Sequence, residues 1–380
     1  MKKIRILLAG GGTGGHIFPL CAVAEKIRDR EPSLGATVEL RYFGSPGVYR
    51  NELESLDIKI SHVAAPKWRR YFSILNFFDI FKGIWGIIEA AFKIYWYMPD
   101  VIFSKGGPGA LIVALVGKFY AIPIIIHESD TVPGLTNLKC GKLAKIIELA
   151  FPESAQFFGK EIGKTKVVGM PIRKKILEAE TEKARLMIDI SEEGLPLLLI
   201  VGGSQGAEKI NGFILDNLQI FLDHFRIIHQ IGTQNYPEFM KEYEFVSKEW
   251  SVEKKKRYRP MAFLGNELRE AMAASNVIVS RAGATFIFEI ACMGKPSILI
   301  PLENSASDHQ RQNAYAYAKN GAALVIEEEN LLIGLFTSHL EDILENKEKM
   351  NSMSEAAKRF CTPEAGERIV EDILTLASIA

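Results

Sequence analysis

Short apolar runs alternate with longer segments of helical periodicity along most of the chain. The runs predict eight β-strands, at Ile4–Ala9, Val38–Phe43, Val101–Phe103, Ile122–Ile126, Leu197–Val201, Ile227–Gln230, Val277–Ser280 and Ser297–Ile300. Several are apolar on both faces, which is typical of parallel strands covered by helices on both sides. Helix-length segments separate them, such as Pro19–Arg30, Ala207–Leu222 and Leu268–Ala274. This alternation predicts an α/β fold with parallel sheets.

A strand, a glycine loop and a helix follow one another twice. Residues 6–16 read ILLAGGGTGGH, and residues 197–207 read LLLIVGGSQGA. Two Rossmann-like, doubly wound domains, each opening with such a unit, are the simplest interpretation. We expect an N-terminal domain over 1–170 and a C-terminal domain over 171–357. The last segment, 358–380, is expected to form a helix that packs back on the first domain, and a boundary within Glu178–Gly194 stays open as an alternative.

Composition narrows the class of protein. Of the 380 residues, 48% are hydrophobic and 24% charged, as in ordinary globular proteins. Lys and Arg number 46, as do Asp and Glu, and this balance argues against a dedicated nucleic-acid binder. The charge is unevenly divided, however. Residues 1–170 hold 22 basic against 15 acidic residues, and residues 171–380 hold 24 against 31, so we expect the first half to meet an anionic surface.

The cysteines and the apolar runs indicate where the protein works. Cys21, Cys140, Cys292 and Cys361 have no metal-ligand spacing, and we expect reduced thiols in a cytoplasmic protein. The N-terminal apolar run is short and leads directly into glycines, so it predicts a first strand rather than a signal peptide. No uncharged apolar run approaches the ~18 residues of a membrane span, and no transmembrane helix is expected.

The first glycine loop fits the pattern G-x-G-x-x-G through Gly10, Gly12 and Gly15. Such loops let the backbone approach a phosphate at a helix N-terminus. A dinucleotide site also needs an acidic residue at the end of the second strand, and here that strand ends Tyr42-Phe43-Gly44, which disfavours NAD(P) or FAD. His16 follows the loop directly and is a candidate general base, the alternative being a structural hydrogen-bonding role.

Three stretches of the second half have polar groups where strands end. Gly202–Gly206 is a second phosphate-type loop, and Arg281–Thr285 begins a helix whose first turn offers amides to an anion. Glu289, further along that helix, is placed to accept the hydroxyls of a ribose, or else is a solvated acid. Residues 308–314, DHQRQNA, open a third helix with groups that suit sugar hydroxyls, although an ordinary N-cap would look similar.

Together these motifs resemble the MurG family, the N-acetylglucosaminyltransferases that convert lipid I to lipid II in peptidoglycan synthesis. The similarity covers nearly the whole chain, and it is carried by GGTGGHIFP at 11–19, HESDTVPGL at 127–135, GMPIR at 169–173, GGSQGA at 202–207, SRAGA at 280–284 and DHQRQNA at 308–314. The resemblance implies two α/β domains facing a cleft, known as the GT-B type, with roles in cell-wall formation, cell shape and division. It also implies UDP-N-acetylglucosamine as the donor and lipid I, an undecaprenyl-linked sugar, as the acceptor.

The resemblance further implies roles for individual residues. His16 would be the favoured base, with Glu128 and His127 as second candidates. Donor contacts would come from Glu289 on the ribose, Arg173 near the domain junction and Gln310, beside His309, on the sugar. The remaining implied substrate contacts are Thr13, Gly14, Gly15, Asp130, Ser204, Arg281, Gly283, Ala284 and Thr285.

This chain departs from the family in three places. Ser129-Asp130 replaces the common Gln-Asn, which weakens a sugar contact at Asp130. The second glycine loop reads Gly106-Gly107-Pro108-Gly109, without the usual aromatic residue, so its role toward the acceptor diphosphate is less defined. Thr285 stands one place earlier than in some relatives, so a contact there should use the backbone.

The motifs indicate a mechanism without a metal or other cofactor. No Asp-x-Asp motif occurs in the chain, so the leaving diphosphate would be neutralised by helix dipoles, loop amides and Arg173. A base opposite the leaving group gives in-line displacement and inversion at the sugar carbon.

Lys67–Tyr97 has an unusual composition, with eleven aromatic residues interleaved with basic ones. It predicts an amphipathic helix lying in the headgroup layer, although a helix buried against the sheet would share much of this pattern. The expected membrane contacts are Trp68, Phe77, Phe78, Phe81 and Trp85. We therefore expect a peripheral protein on the cytoplasmic leaflet of an anionic cell membrane.

Three other functions remain possible on these residues. A UDP-N-acetylglucosamine 2-epimerase, or another sugar transferase of the same fold, would use a similar donor site, but an epimerase should lack the aromatic, basic segment. A non-catalytic nucleotide-sugar sensor would keep its function when His16 is replaced. An NAD-dependent oxidoreductase is disfavoured by the missing acid.

Overall fold

The computed structural model describes residues 2–65, 75–178, 194–203, 206–265 and 267–379. The chain divides into two compact units, Met1–Lys174 with Thr362–Ala380, and Lys175–Cys361. Each unit is built on one parallel sheet flanked by helices, which confirms the predicted class of two Rossmann-like α/β folds. Most of the charged stretch Glu178–Gly194 lies outside the described residues.

The first unit has a seven-stranded sheet in the order β3-β2-β1-β4-β5-β6-β7. All its strand pairs are parallel, and the chain changes direction along the sheet between β1 and β4. In such sheets the crevice for a ligand opens at the carboxyl ends of the strands beside this point. The strands are β1 Lys2–Gly10, β2 Ala36–Gly44, β3 Ile58–Ser61, β4 Val101–Ser104, β5 Ile124–Glu128, β6 Ile146–Leu149 and β7 Thr165–Val167.

Helices cover both faces of this sheet. Ile17 and Leu20 of α1 pack on one face with Ile369 and Ile373 of the C-terminal helix α16, while α3, α4 and α5 cover the other face. From the N-terminus to the division between the units, the helices are α1 Gly14–Arg30, α2 Arg50–Glu54, α3 Leu75–Tyr97, α4 Ala110–Phe119, α5 Leu135–Gly141 and α6 Lys174–Leu177, the last of which crosses the division. The C-terminal helix α16 is Ala365–Ile379, and 3-10 turns lie at Glu31–Ser33, Gly47–Tyr49 and Pro152–Lys164.

The second unit has a six-stranded parallel sheet in the order β10-β9-β8-β11-β12-β13. Two apolar clusters fill its two faces. Its strands are β8 Leu197–Val201, β9 Arg226–Gln230, β10 Tyr258–Met261, β11 Val277–Ser280, β12 Ser297–Leu299 and β13 Ala323–Val325. Its helices are α7 Glu208–Asp216, α8 Leu218–His224, α9 Tyr236–Val246, α10 Val252–Lys256, α11 Glu267–Ala274, α12 Ala284–Cys292, α13 His309–Ala318, α14 Ile333–Leu344 and α15 Lys347–Phe360, with 3-10 turns at Ala306–Asp308 and Glu328–Asn330.

The eight predicted strands are all present, but five further strands (β3, β6, β7, β10 and β13) were not predicted. They are three or four residues long, and in all but β13 charged residues or proline interrupt the apolar pattern, as in Tyr258-Arg259-Pro260-Met261 of β10. Short strands of this kind give almost no periodicity signal. The single helix predicted over 207–222 is two helices, α7 and α8, which meet at Asn217.

The expectation of four reduced cysteines was wrong for one pair. Cys292 ends α12 and Cys361 follows α15, and these two helices pack together. Their Cα atoms lie 4.8 Å apart, and a disulfide joins the two residues, whereas Cys21 and Cys140 are buried thiols. The two residues are 69 positions apart in sequence, so only the helix packing brings them together.

The last helix, α16, packs on α1 within the first unit. Buried Ile369, Val370 and Ile373 lie in the same apolar cluster as α1. Two ion pairs flank this contact, with Lys26 Nζ 3.0 Å from Glu367 and Lys166 Nζ 2.7 Å from Asp372. The final segment of the chain therefore belongs to the helical layer that covers one face of the first sheet.

The backbone at Gly86 determines how closely α3 approaches the rest of the first unit. A Cβ at Gly86 would meet the carbonyl oxygen of Ala64, and it would lie 3.0 Å from the Cδ1 atom of Ile112. We expect Gly86→Ala to lower the free energy of unfolding by about 1–3 kcal/mol, despite alanine's higher helix propensity, because backbone must move.

The matched control is Gly212→Ala in α7, where nothing lies within 4 Å of the added carbon. There, alanine should stabilise the helix by about 0.5–1 kcal/mol. Thermal unfolding followed by circular dichroism measures both variants, and a Gly86→Ala protein as stable as the parent would contradict the expectation.

Candidate functional site

Two glycine loops meet at the carboxyl edge of the first sheet, where β1 and β4 end side by side. Gly107 has a φ of +85°, and a Cβ there would lie only 2.8 Å from the N and Cα atoms of Gly11. A Cβ on Gly12 would lie 2.6 Å from the carbonyl oxygen of Ser45. The loops therefore pack backbone against backbone, and they leave main-chain groups exposed at the switch point of the sheet.

His16 lies in the first turn of α1, next to these two glycine loops. Its Nδ1 atom lies 2.8 Å from Thr13 Oγ1, and a Cβ on Gly11 would be 3.0 Å from the same nitrogen. Loss of surrounding water, and secondarily the charge of Lys105, lower the pKa of His16 to about 4, against an opposing effect of Asp130. The imidazole is therefore unprotonated at neutral pH, which is the form that accepts a proton.

Glu128 ends β5 and is buried, and its carboxylate organises the loop that follows. One oxygen accepts from the N–H of Asp130 at 2.9 Å, and the other from Asn137 Nδ2 at 2.9 Å and the N–H of Gly134 at 3.2 Å. Burial, and next the charge of Asp130, raise the pKa of Glu128 to about 7. Both oxygens are thus engaged, which favours a role in shaping the loop over a role as base.

His127 lies beneath Glu128 and is fully buried. Its Nε2 atom is 2.8 Å from the carbonyl oxygen of Gly169, so this nitrogen carries the proton. Its Nδ1 atom is 2.5 Å from Lys105 Nζ, which also donates to Ser129 Oγ at 2.5 Å. Sequence reasoning missed Lys105 and Asn137, because a lone lysine after a strand and a lone asparagine on a helix carry no motif.

Arg173 belongs to the first unit, near the end of its polypeptide before the division. Its guanidinium carbon lies 3.9 Å from the centre of the Phe18 ring, on α1, and the side chain is buried. This stacking holds the Arg173 guanidinium against Phe18, which lies two residues after His16 in sequence. The structure therefore brings together His16, Glu128 and Asp130 near the carboxyl edge of the first sheet, and it places Arg173 against Phe18 in the same unit.

The glycine loop of the second unit follows β8. Gly203 and Gly206 have φ values of +91° and +86°, and a Cβ on Gly206 would meet the carbonyl oxygen of Ile231. Gln230, at the end of β9, donates from Nε2 to the Gly203 carbonyl and accepts from the N–H of Leu264, both at 2.9 Å. Ser204, a predicted donor contact, lies outside the described residues.

A buried polar network supports this loop from below. His229 Nδ1 is 2.9 Å from Tyr258 Oη, and His229 Nε2 is 3.1 Å from Asn211 Oδ1, while Asn211 donates to the Ile231 carbonyl at 2.9 Å. Burial lowers the pKa of His229 to about 3. A neutral imidazole therefore joins β9, β10 and α7, and sequence reasoning did not single out any of these three residues.

The N-terminus of α12 forms the second element of this edge. Gly283 is its N-cap, Ala284 and Thr285 form its first turn, and Glu289 lies buried in its second turn. Asn313 of α13 donates to the carbonyl oxygen of Ala282 at 3.3 Å and ties the two helices together. The first-turn N–H groups of a helix such as this favour an anion.

Arg281 precedes α12, and the structure places its guanidinium in a buried ion pair. It bonds Glu328 and donates to the carbonyl oxygens of Ile300 and Pro301, each at 3.3 Å. Lys209 Nζ also lies 3.5 Å from Glu328. Arg281 thus holds the ends of β11 and β12 to the turn after β13, and a donor contact by Arg281 remains a prediction.

Residues 303–308 form a strained loop before α13. Asn304, Ser307 and Asp308 have φ values of +60°, +58° and +55°, a region that residues with a side chain rarely adopt. Gln310 Oε1 accepts from the N–H of Leu302 at 3.0 Å, and its own N–H donates to Ser305 Oγ at 3.2 Å. Backbone strain of this kind is often found at ligand sites. The strained loop leads directly into α13, which begins with His309 and Gln310.

The outer face of α3 and α4 is strongly apolar. Gly86, Ala90, Ile94 and Tyr97 of α3 face the sheet, while Phe81 and Trp85 are 57% and 63% exposed. The other exposed apolar residues of these helices are Ile84, Ile87, Ile88, Phe92, Tyr95, Trp96, Leu115 and Phe119. Trp68 and the side chains of Phe77 and Phe78 lie outside the described part of the chain. No helix in the described ranges is long and apolar enough to span a bilayer.

The described residues contain no group of three or more His, Cys, Asp or Glu side chains that could hold a metal ion. An anion at either sheet edge would meet backbone N–H groups, helix N-termini and basic side chains. This set of groups, with a neutral imidazole at one edge, can bind phosphates and accept a proton.

Comparisons with known proteins match this description. The model of the glycosyltransferase family 28 N-terminal domain matches residues 6–147, and that of the family 28 C-terminal domain matches residues 197–369. Together they cover most of the chain, so the fold and sites define a two-domain glycosyltransferase.

Individual relatives agree with the family models. The chain is 36% identical over 351 residues to the UDP-N-acetylglucosamine–N-acetylmuramyl-(pentapeptide) pyrophosphoryl-undecaprenol N-acetylglucosamine transferase of Clostridium tetani, covering 92% of each chain. It is 34% identical to the protein of the same name from Treponema denticola, covering 97% and 96%. The chain therefore belongs to glycosyltransferase family 28 and, within it, to the MurG family.

Solved structures share the fold. The crystal structure of Acinetobacter baumannii MurG matches with a TM-score of 0.71 and 24% identity, covering 98% of this chain and 99% of that one. A UDP-GlcNAc 2-epimerase from Neisseria meningitidis matches with a TM-score of 0.69 at 14% identity, covering 98% and 100%. Both likenesses show the fold alone.

The buried pair of Arg281 and Glu328 should be important for stability. Arg281→Gln removes the closest cation from the buried Glu328 carboxylate, which keeps the more distant Lys209 at 3.5 Å. We therefore expect the free energy of unfolding to fall by about 3 kcal/mol. Urea unfolding measures this loss.

The control is Arg259→Gln, which removes an exposed ion pair with Glu267 and should lower the free energy of unfolding by less than about 1 kcal/mol. Equal losses in the two variants would show that the buried pair has no special weight.

Proposed function

We propose that this protein transfers N-acetylglucosamine from UDP-N-acetylglucosamine to lipid I, the undecaprenyl-diphosphoryl-N-acetylmuramyl-pentapeptide, and so forms lipid II. The observation that carries the proposal is the agreement over more than 90% of the chain with relatives whose names state this reaction. The neutral imidazole on a glycine-lined sheet edge supports it from the side of chemistry. Peptidoglycan synthesis is the process served.

In the proposed reaction the acceptor binds the first unit and loses a hydroxyl proton to His16. If His16 Nδ1–H donates to Thr13 Oγ1, then Nε2 has a free lone pair to accept that proton. The oxygen attacks the sugar carbon as the bond to the diphosphate breaks, so the configuration there inverts. The exposed backbone of Gly14 and Gly15, in the same turn, is the proposed phosphate contact.

The donor binds the second unit in this proposal. Glu289 accepts the ribose hydroxyls, and the amides of Gly283, Ala284 and Thr285, with those of the glycine loop and Ser204, hold the diphosphate. His309 and Gln310, at the start of α13, contact the sugar. Arg173 and Arg281 add positive charge, Asp130 lies toward the acceptor, and no metal ion or other cofactor takes part.

The proposed domains follow this division of labour. Residues 1–170 take up the acceptor and the membrane, residues 171–357 bind the donor, and residues 358–380 close the first domain. The ion pairs of α16 with α1 and β7 support the last assignment.

A second candidate, UDP-N-acetylglucosamine 2-epimerase, has only the shared fold in its favour. It would convert the donor without an acceptor, and it has no use for an exposed aromatic face on α3. Incubation of the donor alone separates the two activities.

His16 should be required for transfer. With labelled UDP-N-acetylglucosamine and a short-chain lipid I analogue, we expect His16→Ala to lower kcat by about 10²–10⁴-fold, the usual contribution of a general base. His224→Ala, which removes an exposed histidine of the second unit, is the control and should keep the parent rate. A chelator should leave transfer by the parent protein unchanged. Full activity in His16→Ala would remove this residue from the mechanism.

We further propose that the α3–α4 face binds the anionic, cytoplasmic leaflet of the cell membrane as a peripheral surface, through Phe81, Trp85 and, in the same helix, Phe77 and Phe78, with Trp68 just before it. Exposed lysines at 82 and 118 flank the aromatic residues. The excess of basic residues in 1–170 supports attraction to anionic lipid.

Vesicle co-sedimentation tests this surface. Phe81→Asp with Trp85→Asp should weaken binding to vesicles containing phosphatidylglycerol by about tenfold or more, since each aromatic side chain contributes about 1.5–3 kcal/mol when buried. The matched control, Phe245→Asp with Val252→Asp, alters exposed apolar residues of the second unit and should bind like the parent. Equal binding by all three proteins, or binding that ignores lipid charge, would contradict the proposal.

A further inference from the structure

Lys105 is a buried cation at the centre of the first sheet's carboxyl edge. Lys105 directly follows β4, and its backbone N–H donates to the carbonyl oxygen of Ala9 at 2.8 Å. Its side chain is almost wholly inaccessible to solvent. A lysine in such a place is rare, because removing an ammonium group from water costs free energy that partners must offset. A methionine would fill the same space without that cost.

The partners of Lys105 identify its charge state. Its Nζ atom lies 2.5 Å from His127 Nδ1, and that nitrogen must accept, since His127 Nε2–H is donated to the Gly169 carbonyl. Burial lowers the pKa of Lys105 to about 8, while the carboxylates of Glu128, Asp130 and Glu148 act in the opposite direction. The ammonium form is thus the main form at neutral pH.

His16 and Lys105 both lie beside Gly10, the last residue of β1. A Cβ on Gly10 would be 3.8 Å from both the Cβ of His16 and the Cβ of Lys105. The charged groups that act on the imidazole are Lys105, at the end of β4, and Asp130, in the loop after β5. Lys105 disfavours a proton on His16, and Asp130 favours one.

This opposition matters for a base that works beside anions. A diphosphate bound on the glycine loops would attract a proton to the nearby imidazole and so block it as a base. A fixed cation beneath the loop counters that field without contacting the substrate. It cannot be displaced by the substrate either, because it is enclosed by β4, β5 and the loop at 129–130.

We propose that Lys105 is a positioning residue for sugar transfer: its buried ammonium group opposes protonation of the His16 imidazole beside a bound diphosphate and, through His127 and Ser129, holds the loop after β5 in place. This inference rests on the proposed function to the extent that His16 is the base. The electrostatic link between Lys105 and His16 is a property of the folded protein and can be measured without any substrate.

Histidine NMR gives the direct test. Spectra of the full-length protein with labelled histidine, in which His16→Ala identifies the His16 signal, follow protonation from pH 3 to 8. In Lys105→Met we expect His16 to titrate about one pH unit higher than in the parent, since the opposing cation is gone. Lys160→Met, which removes an exposed lysine of the same unit, should titrate like the parent. Identical titration in parent and Lys105→Met would overturn the proposal.

A second pair of variants keeps the test open if Lys105→Met does not fold. The double variant Lys105→Met with Glu128→Gln removes one charge of each sign from the buried cluster, and it is compared with Glu128→Gln alone. His16 should titrate at higher pH in the double variant. No difference between the two proteins would refute the link as firmly as the single variant would.

The pH profile of kcat/KM for transfer gives the functional readout. Removing a positive charge raises the pKa of His16, so the acidic limb of the profile in Lys105→Met should move to higher pH, with a greater loss of rate near pH 5 than at pH 8. Lys105→Arg keeps the charge and should restore the limb toward that of the parent. A purely structural lysine would lower the rate evenly across pH, and that result would contradict the inference.

These outcomes separate the two levels of the argument. If the parent protein transfers no sugar, the proposed function fails, while the NMR titration still decides whether Lys105 controls His16. If the parent transfers sugar and neither the titration nor the acidic limb moves, the inference about Lys105 fails alone.

Discussion

The close approach of backbone to backbone at the ends of parallel strands is the constraint on which the rest of this structure depends. Gly11 and Gly107 meet where β1 and β4 end, and Gly206 meets the Ile231 carbonyl where β8 and β9 end. A Cβ at Gly107 or Gly206 would clash with the facing backbone and separate the strand ends. The absence of side chains is what exposes N–H groups at an edge where helices also begin, and anions are bound there by main-chain groups.

Buried polar groups make these bare edges rigid. In the second unit, Gln230 holds the glycine loop and the neutral imidazole of His229 joins three elements beneath it. In the first unit, Glu128 shapes the loop after β5, and Lys105 occupies the interior below His16. Buried hydrogen-bond networks of this kind are costly to break, so they favour one arrangement of the loops. The chemistry at each edge thus depends on residues that no substrate needs to touch.

Much of this could be read from the sequence, and the reasons are local. Long apolar runs such as Leu197–Val201 predict buried parallel strands, and glycine loops after them predict the edges. The short strands β7 and β10 could not be found, since three or four residues with charges or proline carry no period. Similarly, the disulfide between Cys292 and Cys361 depends on helix packing across 69 positions.

The site residues divide in the same way. His16 and Gln310 stand inside motifs, and Glu289 follows one on the same helix, so the sequence singles them out as candidates. Lys105, Asn137 and Gln230 act through neighbours that are distant in sequence, and their importance becomes visible only when strand ends are placed side by side. Arg281 illustrates the limit of motif reasoning, because its guanidinium pairs with Glu328, which no motif contains.

The central claim is that a sugar diphosphate is held by bare strand ends and helix N-termini of the second unit. A crystal structure of the protein with UDP-N-acetylglucosamine tests it most directly. The account predicts the ribose hydroxyls on the Glu289 carboxylate, and the diphosphate on the amides of the Gly203–Gly206 loop and of Ala284 and Thr285. Density for the uridine diphosphate elsewhere on the protein, away from Glu289 and these amides, would contradict it.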